Sequence, residues 1–574
     1  MATPSIASLL YQRILTATKS LTATATPPST PPRTGNAKTV AKLKLEGLPL
    51  DVRVLIVSFL HLYDDVKSLM LSCRSLYEAS VPKYYHSIAF IGIVDVDRTI
   101  AMLNPDNEGL KHIRHLAVEP GLDSDPDQLL HVLAHLLPRD ILITFSLDYF
   151  PPLESKNALR VLHRRQRCLR NARLEGSVLQ AEAVLNGAAL QNITLLHIQI
   201  DCRITNPGHE LLGSLPALMH LEIRAGLDQY CAVTNRDSEV PSERAGASEE
   251  IIEAVFGRKF VDGHKLETVT LRSLSLYELD LAKSSRLLEA VDCSRLHSLV
   301  LQRCDNIPKL LAHIRPTGFP SRMSLTNLVL SAREEWRADR AKDDETINDF
   351  LKSFCGLEQL LIHGPNDETI RPSCDAIAVH HDTLCLLFLS CKWSDEGHES
   401  HYDPDALQAC LGQCLQLEQL AIQTPPILLE REAESVRQHH GAFAASISAA
   451  PSLRTLRILS SPDQDQLDYS VHDIQPSHVW MDAKLRMYAT EYLAHLLSVN
   501  AISIGSEEYD FSGFTYSASY STRGKLTDAY GRANTVAIAM KSKEQAQDIE
   551  PVSDIFDIEP SDSKIMRYGY EDLV

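Results

Sequence analysis

Residues 296–301 read LHSLVL, in which apolar residues occupy the first, fourth and sixth positions. The same spacing recurs at YHSIAF (85–90), IRHLAV (113–118), LITFSL (142–147), LRNARL (169–174), ITLLHI (193–198), LMHLEI (218–223), LETVTL (266–271), LTNLVL (325–330), LEQLLI (357–362), LCLLFL (384–389), LEQLAI (417–422), LRTLRI (453–458) and VNAISI (499–504). Successive copies such as those at 296 and 325, or at 357 and 384, start 29 and 27 residues apart. A recurrence at this period indicates a repeat architecture.

The segments between the apolar triplets have a different periodicity. DETINDFLKSFCG (344–356) and DAKLRMYATEYLAHLLSV (482–499) place apolar residues at the spacing of a helix face. A strand with a returning helix cannot bury its apolar side alone, so neighbouring units must stack. The repeats resemble irregular leucine-rich repeats, one of which carries Cys304 at the family's Asn/Cys position. The prediction is an α/β solenoid over 85–510, with a parallel sheet inside and helices outside; the alternative is an all-helical repeat or bundle.

Composition limits the classes of partner. The 574 residues include 56 basic and 75 acidic side chains, a net charge of −19 that repels a phosphate backbone, so we expect no nucleic acid partner. No apolar run reaches the roughly 20 residues that a bilayer-spanning helix needs, so we expect no membrane partner. The 12 cysteines include no CxxC pair, which favours reduced thiols and a cytoplasmic or nuclear location.

The two ends of the chain have biased compositions. Residues 1–42 are rich in Ala, Thr, Ser and Pro and contain no acidic residue, which indicates a disordered leader, although a basic transit helix fits the same residues. Residues 511–545 are predicted to be a C-terminal cap or extension. Residues 546–574 form an acidic tail with interleaved apolar residues, predicted to be disordered.

Residues 43–84 have the pattern of a small helical module. Pro49 and Asp51 suit the start of a helix, because proline is tolerated in the first turn and an acidic side chain is favoured by the helix dipole. The helix would carry one apolar stripe of Val52, Leu55, Ile56, Phe59 and Leu60. Asp64 and Asp65 would start a second helix, and a third would follow. A module of about 40 residues rarely folds stably alone, so a partner is expected.

This stretch resembles an F-box, as in fungal-type F-box proteins with irregular leucine-rich repeats. The resemblance implies docking on the Skp adaptor and, through it, on the cullin scaffold of an SCF ubiquitin ligase, with the repeats capturing a protein substrate. The residues expected to contact the adaptor are Leu48, Pro49, Val52, Leu55, Ile56, Phe59, Leu60, Val66, Leu69, Cys73 and Leu76. The alternative is a non-catalytic repeat scaffold whose N-terminal helices only cap the solenoid.

The strand residues between the buried triplet positions would form the concave surface of the solenoid. Candidates for substrate binding there are Arg224, Arg272, Gln302, Gln359, Leu361, His363, Leu386, Phe388, Gln419 and Arg457. Leu361, Leu386 and Phe388 form an unusually apolar group, which predicts an exposed protein-binding patch unless a loop covers it.

No motif indicates catalysis, so we expect neither an enzyme nor a cofactor. The sequence contains no P-loop, GxSxG or HExxH pattern. HESH (398–401) with Cys391 is a weak match to zinc ligands in a polar loop, so no metal site is expected. Cys410 and Cys414 are one helical turn apart, which is typical of core residues. His380, His381, His439 and His440 are predicted to be polar surface or loop residues.

Overall fold

The structure is a computed structural model, and it describes residues between 45 and 558, with gaps. They divide into two compact units, Met1–Ser80 and Val81–Val574. The predicted end of the N-terminal module, residue 84, is four residues beyond this division. The described residues are 45–60, 62–92, 103–104, 106–120, 126–147, 161–162, 164–175, 192–200, 215–225, 248–252, 255, 270–314, 323–332, 340–364, 371–390, 402–425, 427, 433–460, 478–505, 509–511, 514–516, 518–527, 530–540, 545–546, 554–556 and 558.

Three helices follow one another at the N-terminus, as the sequence predicts: α1 (Leu50–Ser58), α2 (Tyr63–Ser72) and α3 (Arg74–Tyr84). Helix α1 begins directly after Pro49, whose φ of −52° and ψ of 150° are extended, and Asp51 lies in its first turn. Asp64 and Asp65 lie in the first turn of α2. All three carboxylates are therefore near the positive end of a helix dipole, where negative charge is favoured.

Arg53 connects separate parts of the N-terminal unit. Its Nε donates a 3.0 Å hydrogen bond to the carbonyl oxygen of Leu48, and its Nη1 donates to the carbonyl oxygen of Ser75. One guanidinium thus joins the residues before α1 to the first turn of α3. This bonding explains a cation in the middle of an otherwise apolar helix.

The second unit is an irregular leucine-rich-repeat solenoid built on a 16-stranded sheet. Strands β1 to β14 are hydrogen-bonded in chain order and are parallel, and an antiparallel pair, β17 and β18, extends the sheet beyond β14. Strands β15 and β16 form a separate two-stranded sheet. The strands are β1 (Ser87–Gly92), β2 (His115–Pro120), β3 (Thr144–Leu147), β4 (Asn171–Glu175), β5 (Leu195–Ile200), β6 (His220–Ala225), β7 (Ser273–Tyr277), β8 (Ser298–Cys304), β9 (Asn327–Ala332), β10 (Gln359–His363), β11 (Leu386–Ser390), β12 (Gln419–Ile422), β13 (Thr455–Ile458), β14 (Ala501–Ile504), β15 (Tyr509–Phe511), β16 (Phe514–Tyr516), β17 (Ser519–Thr527) and β18 (Ala533–Met540).

Helices return between many of the strands and bury one face of the sheet. Their apolar residues, such as Phe350 and Phe443, share a single core with strand residues such as Leu299 and Leu360. The helices are α4 (Pro126–Leu136), α5 (Ser285–Ala290), α6 (Ile307–Ile314), α7 (Arg340–Lys352), α8 (Cys374–Ala378), α9 (Pro404–Leu411), α10 (Ala433–Ile447) and α11 (His478–His495). The predicted α/β solenoid is confirmed, and the all-helical alternative is wrong.

The apolar triplets predict where the strands begin. The LHSLVL copy starts at Leu296 and its strand starts at Ser298, two residues later, and the other copies keep this offset with one exception. The exception is LETVTL: β7 begins at Ser273, inside the overlapping triplet LRSLSL (271–276), and Ser273 pairs with His220. The predicted register of this unit is therefore five residues too early.

Cys304 has the bonding expected at the Asn/Cys position of a leucine-rich repeat. It is completely buried, and its Sγ donates to the carbonyl oxygen of Leu276 in the preceding strand, 3.3 Å away. Burial raises the pKa of the thiol to about 12, so that it stays protonated and keeps this donor.

Two of the histidines predicted at the surface are buried. His380 and His440 are 1% and 2% exposed, respectively. The ring of His380 lies 5.1 Å from that of Phe354, and Nδ1 of His440 lies 2.9 Å from Oη of Tyr492. The prediction of a surface or loop position is wrong for His440, which is buried within α10, whereas His380 lies in a turn as predicted but is not at the surface. The prediction that Cys410 and Cys414 are core residues is confirmed, since they are 3% and 0% exposed.

Candidate protein-interaction surfaces

The N-terminal unit leaves many large apolar side chains in water. Phe59 is 69% exposed and Leu55 is 57% exposed, although both lie on the apolar stripe predicted for α1. The completely buried residue of α1 is Val57, which lies off that stripe. We call the following residues the exposed apolar group: Leu50, Val52, Val54, Leu55, Phe59, Leu62, Tyr63, Leu71 and Tyr77. A helix that is apolar on several sides normally has them covered.

The structure divides the predicted adaptor contacts into three sets. Pro49, Val52, Leu55 and Phe59 are exposed, whereas Leu48, Ile56, Leu60, Leu69 and Cys73 are half-buried. Val66 and Leu76, at 3% and 6% exposure, are interior residues, so their assignment as adaptor contacts is corrected. Leu50, Leu62 and Leu71 are exposed and were not predicted. The signal that identifies them is their apolar character outside the predicted stripe.

In the solenoid, the face of the sheet opposite the helices is the one predicted to be concave, and we call it the inner face. The strand register aligns one side chain per strand in a row across it. This row contains His197, Glu222, Ser275, Val300, Val329, Leu361, Phe388, Ala421, Arg457 and Ser503. The row is polar towards β5 and β6 and apolar from β8 to β12.

The polar part of the inner face contains ionisable pairs that are largely screened from water. Nδ1 of His197 lies 2.6 Å from Oε1 of Glu222, and their side chains are 11% and 12% exposed. The guanidinium of Arg224 stacks over the ring of Tyr277 at 5.3 Å from its centroid. Burial, and next the positive charge of Arg272, lowers the pKa of His220 at the start of β6. These contacts fix the side chains of the pairs in place on the inner face.

The apolar part of the inner face is covered. Leu361, Leu386 and Phe388 are 5%, 4% and 1% exposed, so the predicted exposed patch is wrong. They belong to one cluster with Ile555 and Phe556 from the C-terminal end of the chain, both 0% exposed. The alternative that a segment covers the patch is correct. Within residues 546–574, which were predicted to be disordered, the structure describes Ala546, 554–556 and Ile558, and the remaining tail residues are outside the described part.

Hydrogen bonds hold this C-terminal segment on the sheet. The backbone N–H of Ile555 donates to Oε1 of Gln419 over 2.9 Å. Nη1 of Arg457 donates to the carbonyl oxygens of Ile555 and Ile558, at 3.1 and 2.5 Å. The ring of Phe556 meets that of Tyr520 edge to face, with centroids 5.6 Å apart. Side chains of β12 and β13 therefore bind the backbone of the segment.

The other predicted substrate-binding residues have different environments. Arg224, Gln359 and His363 are half-buried on the inner face, and Gln302, Gln419 and Arg457 are buried there. Arg272 is exposed but precedes β7, so its predicted place on the strand face is corrected. The HESH stretch lies outside the described residues. Within the described residues, no cluster of His, Cys, Asp or Glu has the arrangement of a metal site, and no helix is long and apolar enough to cross a bilayer.

Comparisons with known proteins give structural similarity alone. No family model and no curated protein matches the sequence. The crystal structure of the Rad7 and Elc1 complex in yeast is similar at 13% identity and a TM-score of 0.35, over 80% of this chain and 94% of that chain. The leucine-rich repeat-containing protein LegL7 from Legionella pneumophila is similar at 13% identity and a TM-score of 0.30, over 60% and 97%. The TLR13–ssRNA13 complex is similar at 15% identity and a TM-score of 0.29, over 74% and 50%.

Proposed function

We propose that this chain is the substrate-recognition subunit of an SCF-type ubiquitin ligase. Residues 48–76 would bind the Skp adaptor and, through it, the cullin scaffold, and the inner face of the solenoid would bind a protein substrate. The proposal joins the F-box pattern at Leu48, Pro49 and Phe59 to the repeats that follow. The observation that carries it is the exposed apolar group of the N-terminal unit.

The exposed apolar group supports a docking role because its exposure is costly. Burying one large apolar side chain stabilises by about 1.5–3 kcal/mol, so covering Leu55, Phe59, Leu62 and Leu71 together is a substantial driving force for association. Aromatic residues such as Phe59 are frequent energetic centres of interfaces. Phe59 lies on the apolar stripe of α1, at a position that matches the F-box pattern, and is 69% exposed. We therefore favour the ligase subunit over the scaffold.

The chain itself is proposed to be non-catalytic. Ubiquitin transfer would be carried out by the partner enzymes, and this chain would bring the substrate near them. The adaptor and scaffold place the proposed site of action in the cytoplasm or nucleus. This division of labour requires two independent binding surfaces on one chain, and the N-terminal unit and the inner face are the two candidates.

Purified Skp adaptor tests the proposal. We expect the intact chain to bind the adaptor and Phe59→Ala to bind at least about 30-fold more weakly, because truncation of a central interface aromatic costs about 2 kcal/mol or more. The stability of the variant should change by less than about 0.5 kcal/mol, since Phe59 is 69% exposed. Binding is measured by calorimetry and stability by urea unfolding.

Leu415→Ala is the matched control, because Leu415 is 57% exposed but lies in the solenoid. It should bind the adaptor within about twofold of the intact chain, as expected for a surface change outside the interface. The proposal fails if the intact chain does not bind the adaptor, or if the two variants weaken binding equally.

A further inference from the structure

The contact between the C-terminal segment and the inner face has the properties of a peptide in a binding groove. Ile555, Phe556 and Ile558 are 0%, 0% and 1% exposed, and they share one apolar cluster with Leu386 and Phe388 of β11. The cluster is separate from the core that the helices share with the opposite face of the sheet. The segment therefore packs on the inner face of the sheet and does not contribute to the core between the sheet and the helices.

The hydrogen bonds of this contact do not depend on the sequence of the segment. Gln419 accepts from a backbone N–H, and Arg457 donates to two backbone carbonyls. Any peptide with the same backbone conformation offers the same three groups. Its apolar side chains would then decide the fit, which is the division between affinity and specificity that peptide-binding grooves use.

The surface under the C-terminal segment contains a buried cationic side chain, which is unusual for a contact that only packs apolar residues. Arg457 is 1% exposed although its side chain is cationic, and its Nη1 donates hydrogen bonds to the backbone carbonyl oxygens of Ile555 and Ile558. Burial of a guanidinium is costly unless hydrogen-bond acceptors replace water. The sequence of the segment, DIFDIE (554–559), places acidic residues beside the three apolar ones, which suits a groove with a cation at its centre.

We propose that the inner face from β11 to β13 is a peptide-binding groove that residues 554–556 and 558 of the chain itself occupy as a built-in ligand. Its partner is a peptide that forms the same short 3-10 turn as Asp554–Phe556 and has the same chemistry: closely spaced apolar side chains flanked by acidic residues. This peptide would displace the segment and take over the bonds to Gln419 and Arg457. The inference rests on the proposed function in one respect, namely that it names the class of substrate which the ligase subunit would capture.

Competition by a tethered segment has a calculable size. A flexible tether presents its ligand at an effective concentration on the order of 1 mM. If the untethered peptide binds with a Kd of roughly 10 μM, the tethered copy weakens binding of a free peptide about 100-fold. Release of the segment should restore that factor.

The test uses the full chain and a fluorescein-labelled synthetic peptide of residues 551–562, followed by fluorescence anisotropy. The double substitution Ile555→Asp/Phe556→Asp releases the segment. Leu526→Asp/Tyr530→Asp is the matched control, because it adds the same charge at positions that are 62% and 84% exposed. We expect the released chain to bind the peptide about 100-fold more tightly than the intact chain and the control. Addition of Arg457→Gln to the released chain should weaken that binding at least tenfold.

The proposal is overturned if the released chain is folded but binds the peptide no better than the control. It is equally overturned if release unfolds the solenoid, because the segment would then be a fixed part of the fold. Hydrogen exchange of the intact chain gives a measurement without substitution. The amide of Ile555 should exchange at least about 1,000-fold faster than that of Leu387 in β11, through local detachment. Equal protection of the two would contradict the proposal.

Adaptor binding separates this inference from the proposed function. The released chain and the intact chain should bind the Skp adaptor equally, since that contact is assigned to residues 48–76. Loss of adaptor binding in both chains would refute the ligase assignment and leave the groove in place. Peptide binding without any dependence on segment release would refute the groove and leave the adaptor contact in place.

Discussion

Protonation of His380 should make the solenoid less stable in mild acid. The side chain is 1% exposed, its ring lies against Phe354, and its Nδ1 accepts a 3.4 Å hydrogen bond from the backbone N–H of Leu357. That acceptor exists in the neutral ring only. Burial lowers the pKa of His380 to about 4, although hydrogen bonding with the Leu351 backbone opposes the shift.

The direction of the effect follows from the two states. At pH 7.5 the ring is neutral in the folded and in the unfolded chain, so it contributes no pH dependence. At pH 5.0 the unfolded chain, with an ordinary pKa near 6.5, is protonated and the folded chain is not. The unfolded state then binds more protons, and the free energy of unfolding falls by roughly 2 kcal/mol between pH 7.5 and 5.0.

His380→Gln isolates this contribution, because glutamine keeps a polar group at the site but does not titrate. The free energy of unfolding is measured by urea denaturation of both chains at pH 7.5 and 5.0. We expect the loss of stability on acidification to be roughly 2 kcal/mol smaller in the variant. His86, His112, His115 and His220, whose pKa values are also lowered by burial, are present in both chains and cancel in the comparison. An identical pH dependence in the two chains would refute the reasoning.

Two further predictions concern packing and reactivity. Gly109→Ala should lower the free energy of unfolding by about 1–3 kcal/mol, because the added Cβ would lie 2.5 Å from ring carbons of Tyr85; Gly47→Ala, with nothing within 4 Å, should change it by less than about 0.5 kcal/mol, and urea unfolding compares the two. Cys304, whose pKa burial raises to about 12, should react with iodoacetamide at pH 7.5 at least about 100-fold more slowly than the exposed Cys168 and Cys355. Mass spectrometry of the labelled chain measures the rates, and equal labelling before unfolding would contradict the assignment of Cys304 to the core.

The sequence predicts what depends on local pattern. The triplet in LHSLVL places Leu299 and Leu301 on the helix side and Val300 on the inner face, and the structure agrees. The same pattern does not locate a strand where two copies overlap. LETVTL and LRSLSL share Leu271, and the pairing of Ser273 with His220 shows that the strand follows the second copy. Burial of His380 and His440 depends on Phe354 and Tyr492, which are distant in the sequence. No local pattern contains that information.

The inner face shows the same limit at longer range. The apolar character of Leu361, Leu386 and Phe388 was visible in their strands, but what covers them was not. The bond between Gln419 and Ile555 joins residues 136 positions apart. In the N-terminal unit, the sequence predicts the apolar stripe through Leu55 and Phe59. The structure leaves both residues exposed, whereas the apolar residues of the inner face are covered.

The covering of the inner face by residues near the C-terminus also orders events during protein synthesis. Phe388 leaves the ribosome before Phe556, and 556 − 388 = 168 residues are made between them. At about 5–20 residues per second this interval is about 8 to 34 s. During that time the strands around Phe388 can stack, but Ile555 and Phe556 do not yet cover their apolar inner face. We expect nascent chains, and chains that terminate before residue 555, to display an apolar surface that chaperones bind.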